Sequence, residues 1–231
     1  MMRSMSSLMA GCRTLVVATL LATAGVVVCL GVADVLSIDR VAQMSQQRYG
    51  GNAAAQVRDW GNILALFKSG SDQQKLKDIN EYFNRKLRFV DDQTNWGQND
   101  YWATPIEALL KGAGDCEDFA IAKYVSLKLL GVPVSKLRIT YVKARIGGVS
   151  SPVTQAHMVL TYYVTPDAEP VILDNLVSEI RPASRRPDLI PIFSFNSEGV
   201  FNAAGEVQTG SGSRLSRWND LVEKMKSEGI E

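Results

Sequence analysis

Three residues of this chain are of the types that a thiol acyl-transfer site requires. Cys116 stands in a Gly-Asp-Cys-Glu-Asp-Phe run, His157 is the single histidine of the sequence, and Asp174 follows a short apolar segment. A thiol nucleophile, an imidazole base and a carboxylate that orients the base are the minimum parts of such a site. The sequence therefore predicts a triad in which His157 takes the thiol proton while Asp174 fixes the imidazole tautomer.

Each of the three residues also has an ordinary structural interpretation. Cys116 is compatible with a small buried residue at a helix start, His157 with a histidine bonded to the backbone, and Asp174 with a turn after a strand. The other two cysteines, Cys12 and Cys29, both lie in the apolar N-terminal segment, so Cys116 has no disulfide partner in the rest of the chain. An unpaired thiol in an exported protein favours the catalytic interpretation.

Asp115, Glu117 and Asp118 surround the thiol with negative charge. Like charges raise the pKa of a thiol and oppose its activation. One interpretation is that these acids only complement the dipole at a helix N-terminus. The other is that they hold a hard cation, because carboxylates joined by oxygens of the loop 95–101 suit Ca²⁺ and suit zinc poorly. Activity would then depend on calcium.

The elements that must position these residues change from helices to strands along the chain. Helical spacing of apolar residues covers 53–67, 71–87, 105–110 and 214–225, and period-two patterns cover 137–145, 157–165 and 170–173. Residues 34–52 are expected to form a loose lead-in. The resulting plan is α+β, with a helical N-terminal part packed on an antiparallel sheet.

A helix that is apolar on most faces begins at Asp115 or Cys116 and ends at Leu130. Such a helix is buried, so Cys116 is expected on the first turn of the core helix. Its backbone N–H is the first candidate donor to an oxyanion, and the indole N–H of Trp102 is a candidate second donor.

Residues 1–33 combine two arginines, no acid and a long apolar stretch, which is typical of an export signal. Ala33 precedes the predicted cleavage point, Ala24 is an alternative, and an uncleaved membrane anchor is a further alternative because the stretch is long enough to span a bilayer. Residues 34–231 then form a single domain. The near-neutral balance of 25 basic and 24 acidic residues argues against a nucleic-acid partner.

The Gly-Asp-Cys-Glu-Asp-Phe run at a helix start, His-Met-Val-Leu from His157 on a strand, and Leu-Asp-Asn around Asp174 resemble the bacterial transglutaminase-like cysteine proteinases. The resemblance implies a papain-like, transglutaminase-type core and a Cys116–His157–Asp174 triad. It also implies that Ca²⁺ binds at the acids beside the thiol, which are Asp115, Glu117 and Asp118.

The same resemblance implies a periplasmic cysteine endopeptidase that cuts the N-terminal region of a large surface adhesin. Cutting would release the adhesin and promote biofilm dispersal, and an inner-membrane cyclic-di-GMP receptor would act as the inhibitor. The triad alone also fits acyl transfer to an amine, as in a transglutaminase, or hydrolysis of peptidoglycan peptides, since all share a thioester. A non-catalytic binding module with this fold is the remaining alternative.

Overall fold

Helices form the first half of the described chain and strands form most of the second half. The computed structural model describes residues 30–208 and 216–230. The helices are α1 (Leu30–Tyr49), α2 (Ala53–Phe67), α3 (Asp72–Lys86), α4 (Asp92–Trp96), α5 (Pro105–Lys111), α6 (Cys116–Leu129) and α7 (Ser216–Ser227). The strands are β1 (Arg88–Phe89), β2 (Ala113–Gly114), β3 (Leu137–Arg145), β4 (Thr154–Tyr162), β5 (Val171–Leu173), β6 (Arg181–Pro182), β7 (Leu189–Asn196) and β8 (Gly199–Asn202).

Six strands form one antiparallel sheet in the order β6-β5-β4-β3-β7-β8. The β3–β4 hairpin is its centre, and His157 lies opposite Val142 in that pair. The short strands β1 and β2 pair in parallel elsewhere, and β2 leads directly into the start of α6. The α+β class predicted from the sequence is confirmed.

The core lies between one face of the sheet and the helices, with α6 at its centre. Most residues of α6 are buried, including Phe119, Ile121 and Leu127. The indole N–H of Trp60 on α2 donates to the hydroxyl of Ser126 on α6 at 3.0 Å, which satisfies two polar groups inside the core. The burial of α6 fixes the position of its N-terminus, where Cys116 lies.

The structure differs from the sequence-based prediction at residues 34–52 and in several elements of the sheet and loops. Residues 34–52 are not a loose lead-in, since α1 covers 30–49 and buries Val41, Ala42 and Ser45. The buried face includes a serine, whose hydroxyl donates to the carbonyl of Val41 at 2.7 Å, so the apolar periodicity of this segment is weak in the sequence. Strand β4 covers 154–162, so it begins and ends three residues before the predicted 157–165. Helix α4 and strands β1, β2, β6, β7 and β8 were not predicted.

The predicted export segment lies mostly outside the described residues, and its predicted cleavage point after Ala33 falls within the bounds of α1. Of the helices in the part of the chain that the structure describes, none is long and apolar enough to cross a membrane.

The packing of α1 on α2 depends on Gly61, where a Cβ atom would lie 2.5 Å from Cγ2 of Ile38. We expect Gly61→Ala to lower the free energy of unfolding by about 1–2 kcal/mol, because the added methyl overpacks the helix contact. In an Ile38→Ala background the same change should instead stabilise by about 0.5–1 kcal/mol through helix propensity. Urea denaturation of the four proteins checks this reversal of sign, and an equal effect in both backgrounds would mean that α1 does not pack on α2.

Candidate active site

The start of α6 is shaped by Gly114 and by the carboxylate of Asp118. Asp118 is fully buried; its Oδ1 accepts from the backbone N–H of Ala103 at 2.8 Å and its Oδ2 from that of Asp115 at 3.4 Å. A Cβ on Gly114 would lie 2.6 Å from this carboxylate, so only glycine allows the close approach. Cys116 is the first residue of α6, as the sequence predicted.

His157 and Asp174 are brought together at one end of the sheet, although 17 residues separate them in the chain. His157 Nε2 lies 2.9 Å from Asp174 Oδ1, and both side chains are buried. The same Oδ1 also accepts from the backbone N–H of Leu176 at 3.0 Å. Asp174 therefore holds the ring of His157 in a fixed orientation, as the predicted triad requires.

Arg186 holds the other oxygen of the Asp174 carboxylate. Its Nη2 donates to Asp174 Oδ2 at 2.8 Å, and its Nε and Nη2 donate to Asp188 at 3.0 and 2.8 Å. Burial alone would raise the pKa of Asp174, but the bonds from His157, Leu176 and Arg186 outweigh it and lower the pKa to about 2. Asp174 is thus an anion at neutral pH.

The geometry assigns a role to each nitrogen of the His157 ring. Because the Asp174 anion accepts from Nε2, the proton of the neutral imidazole lies on Nε2, and Nδ1 is left as an acceptor. Cys116 and His157 line the same cleft of about 730 Å³. Trp102 lines it as well, with its ring stacked on Phe195 at 5.7 Å. A base and a thiol thus share one cleft.

A buried lysine lies on the same helix as the thiol. Lys123 is 1 % exposed and follows Cys116 by two helical turns. Burial lowers the pKa of Lys123 to about 7, while the charge of Asp174 acts in the opposite direction. Lys123 is therefore only partly protonated at neutral pH, and Arg186 supplies the full positive charge beside Asp174.

The thiol itself is held in its neutral form by its neighbours. Cys116 Sγ donates to Glu117 Oε2 at 3.0 Å. Burial raises the pKa of Cys116 well above its usual range, and the charges of Glu117 and Asp115 raise it further. Activation of the thiol therefore requires that the charge of these acids be offset, which is the difficulty that the sequence already indicated.

Carboxylates from two parts of the chain converge beside the thiol. They form two trios, each with oxygens within 4.8 Å of one another, namely Asp92, Asp100 and Glu117, and Asp92, Asp115 and Asp118. Asp92 and Asp115 each have a buried Oδ1 without a hydrogen-bond partner among the described residues. Burial and the neighbouring charges raise the pKa of Asp115 to about 9, and burial also raises the pKa values of Asp92 and Asp118.

Four residues of this site were not found by reasoning from the sequence. Arg186 and Asp188 lie in a stretch where Arg185 is an equally plausible candidate, and only the fold shows which arginine reaches Asp174. Asp92 precedes the loop 95–101 and Asp100 lies within it, where only amide or backbone oxygens were expected to join the cation site. The acidic pair at 91–92 was the available signal, but nothing local to it points toward Cys116.

A buried helix that begins at a cysteine, and a His–Asp pair supplied by an antiparallel sheet, define a thiol enzyme of the papain and transglutaminase type. The family model described as bacterial transglutaminase-like cysteine proteinase matches residues 55–187, a range that includes Cys116, His157 and Asp174. The chain belongs to this family, which is a family of cysteine peptidases. The expectation drawn from the sequence motifs is confirmed at this level.

Solved structures of Legionella pneumophila LapG are similar to this chain. One is 39 % identical, covers 81 % of this chain and 97 % of its own length, and has a TM-score of 0.68. The EGTA-treated form is 38 % identical, with coverages of 81 % and 97 % and a TM-score of 0.69. The calcium-bound form is 38 % identical, with coverages of 81 % and 98 % and a TM-score of 0.68. No curated protein matches the sequence of this chain.

Proposed function

We propose that this protein is a calcium-dependent cysteine endopeptidase of the periplasm that cleaves the N-terminal region of a large surface adhesin. The observation that carries the proposal is that His157, which contacts Asp174, lines the cleft that also contains Cys116, with a cluster of carboxylates beside the thiol. The similarity to LapG, for which a calcium-bound form exists, supports the calcium dependence.

In the proposed reaction, His157 Nδ1 takes the proton of Cys116 as Sγ attacks the carbonyl carbon of the scissile peptide. The oxyanion that forms lies at the N-terminus of α6, where the backbone N–H of Cys116 donates to it. Collapse breaks the C–N bond, and the imidazolium of His157 gives its proton to the leaving amine. Water, deprotonated by His157, then hydrolyses the thioester, and the thiol regains its proton.

The acid cluster fits Ca²⁺. Its donors are carboxylate oxygens from Asp92, Asp100, Asp115 and Glu117. Carboxylate oxygens are hard ligands, which Ca²⁺ prefers. The unpartnered Oδ1 atoms of Asp92 and Asp115 are available to a cation, whereas both oxygens of Asp118 accept backbone N–H groups. The bound cation would offset the negative charge that now raises the pKa of the thiol.

The substrate and regulator follow from the resemblance of the site motifs. The proposal extends to release of the adhesin from the cell surface and dispersal of the biofilm. It also includes inhibition by an inner-membrane cyclic-di-GMP receptor, which requires that the enzyme be exported by its N-terminal segment. The open cleft beside Cys116 is large enough for several residues of a protein chain, which supports an endopeptidase.

The test is cleavage of a purified N-terminal fragment of a surface adhesin from the same bacterium by the purified protein. We expect cleavage with calcium, loss of cleavage with a calcium chelator, and recovery when calcium is restored. Cleavage that persists with the chelator would contradict the calcium dependence and would mean that the acids beside Cys116 only complement the dipole at the helix N-terminus. A cross-linked product in the presence of an amine donor, without hydrolysis, would indicate a transglutaminase instead, and absence of any reaction would indicate a binding module.

Calcium is also expected to stabilise the fold. At a free concentration of 100 times its Kd it should raise the free energy of unfolding by about 2.7 kcal/mol, which corresponds to roughly 5–11 °C in Tm for a domain of this size. At one fixed calcium concentration the gain should be larger at pH 8 than at pH 6, because the Kd rises at the lower pH, where calcium must displace the proton that the raised pKa of Asp115 retains.

Thermal unfolding with and without calcium checks this expectation in two matched variants. Glu117→Gln should remove most of the gain, since it removes a proposed ligand. Glu223→Gln, the same change at an exposed position of α7, should keep the full gain. An equal gain in both variants would contradict the assignment of Glu117.

A further inference from the structure

Strand β4 has an open edge next to the thiol. It pairs with β3 along its whole length, from Thr154 to Tyr162. On its other side, β5 pairs only with Leu160, Thr161 and Tyr162. No described residue pairs as a strand with the outer edge of 154–159, and the side chains of 154–156 are exposed.

Hydrogen bonds at both ends of β4 show which residues face this open edge. The carbonyl of Val153 accepts from Ile146 N at 3.0 Å, and Tyr163 N donates to the carbonyl of Lys136 at 2.8 Å, so both residues direct their backbone groups to the β3 side. The β3–β4 register has no irregularity between them. Backbone groups alternate in direction along a strand, so Thr154, Ala156 and Met158 face the open edge.

The reactive thiol lies at the inner end of this edge. The backbone N–H of Met158 faces the sulfur of Cys116, in agreement with the alternation. Ala156 is the next outward-facing residue, about 6–7 Å further along the strand. Both residues line the cleft that contains Cys116 and His157. The backbone N–H and carbonyl of Ala156 are therefore unpaired, and they lie two residues along the strand from Met158, which faces the nucleophile.

We propose that the cleft takes its protein substrate as an extended strand that pairs with the open edge of β4 at Ala156 and Thr154. This inference rests on the proposed function and deepens it, since it defines the substrate class as a segment without regular structure of its own. An exposed strand edge is a ready template for pairing with another chain. Pairing at Ala156 sets the register that brings the scissile carbonyl to Cys116.

The proposed pairing also explains how the cleft recognises the backbone and the side chains of a substrate. Backbone hydrogen bonds are independent of sequence, so they give affinity, while side chains that alternate between the two faces of the added strand give selectivity. Tyr141 and Phe193, stacked at 5.4 Å, line the cleft on the face of the sheet that packs against α6. Every second residue of the substrate strand would face these rings.

The first test is Ala156→Pro, which removes an outward-facing N–H and no hydrogen bond to β3. We expect kcat/KM for the adhesin fragment to fall at least tenfold, while the rate at which iodoacetamide alkylates Cys116 stays within about twofold of the wild-type rate. Wild-type kcat/KM in this variant would overturn the inference. If the variant does not fold, the second test decides alone.

The second test uses a peptide of about 12 residues around the cleavage site mapped in the adhesin fragment, with each backbone amide N-methylated in turn. We expect tenfold or larger losses of kcat/KM at every second position on the side of the scissile bond that pairs with β4, and small losses between them. Tolerance at all positions, or losses without alternation, would overturn the inference. Failure of the wild-type protein to cleave the unmethylated peptide and the adhesin fragment would instead overturn the proposed function, and the inference with it.

Discussion

Replacing Cys116 with alanine is expected to lower kcat for the protein substrate by at least about 10⁴-fold, because the reaction then lacks its nucleophile. The thiol donates to Glu117 and to no structural partner elsewhere among the described residues, so its loss should leave the fold intact. The measurement is the initial rate of cleavage of the adhesin fragment at saturating calcium.

Two controls separate a catalytic loss from a structural one. Cys116→Ala should keep the increase in Tm that calcium gives the wild-type protein, because the acids beside residue 116 remain. Cys29→Ala, made in the full-length chain that retains the predicted export segment, is the same substitution away from the site, and this variant should cleave at the wild-type rate. Retention of a tenth or more of the wild-type kcat by Cys116→Ala would exclude Cys116 as the nucleophile.

Arg186→Met is expected to have the largest effect on stability. Arg186 and Asp174 form an ion pair at 2.8 Å in which both side chains are almost completely buried. Removal of one partner leaves a buried charge without compensation, which costs about 3–5 kcal/mol and roughly 6–20 °C in Tm. The adjacent Arg185→Met is the matched control, since Arg185 is exposed and its replacement should change stability by less than about 0.5 kcal/mol.

The pH dependence of this difference has a definite sign. The folded pKa of Asp174 is about 2, below its ordinary value of 3.8, so the stabilisation of its anion is present above about pH 4 and is lost as the pH falls toward 2. The difference in the free energy of unfolding between the wild-type protein and Arg186→Met should therefore become smaller as the pH falls from about 4 toward 2. Chemical denaturation from pH 2.5 to pH 7 measures it, and a difference that stays constant with pH would mean that Arg186 acts through packing instead.

Much of the local structure could be predicted because it is encoded in neighbouring residues. The caps at Ser71 and Thr104 and the proline at the first position of α5 are local signals, and helices α3 and α5 begin there. The strong apolar patterns of α2 and β3 gave their observed bounds. Strands β7 and β8 were not predicted, since β7 depends on pairing with β3, which lies about 50 residues earlier in the chain, and β8 depends on pairing with β7.

The residues of the site divide in the same way. Cys116 and His157 were recognisable because cysteine and histidine are rare here, and Asp174 and the acids beside the thiol because they follow motifs with specific spacing. Asp92 and Arg186 were not recognisable, because an aspartate beside Asp91 and an arginine beside Arg185 have the same local surroundings as their neighbours. The tertiary structure decides between the neighbours. Asp92, and not Asp91, lies with the acids at the start of α6, and Arg186, and not Arg185, bonds to Asp174 at the end of β5.

By itself, the sequence determined the chemistry that this protein can perform, since a thiol, an imidazole and carboxylates are properties of residue types. The tertiary structure decided how that chemistry is arranged. It assigns Nε2 of His157 to Asp174, pairs Asp174 with Arg186, and leaves the edge of β4 open beside Cys116. These arrangements depend on contacts between distant parts of the chain, and the pKa values and hydrogen-bond directions at the site follow from those contacts and not from any local pattern.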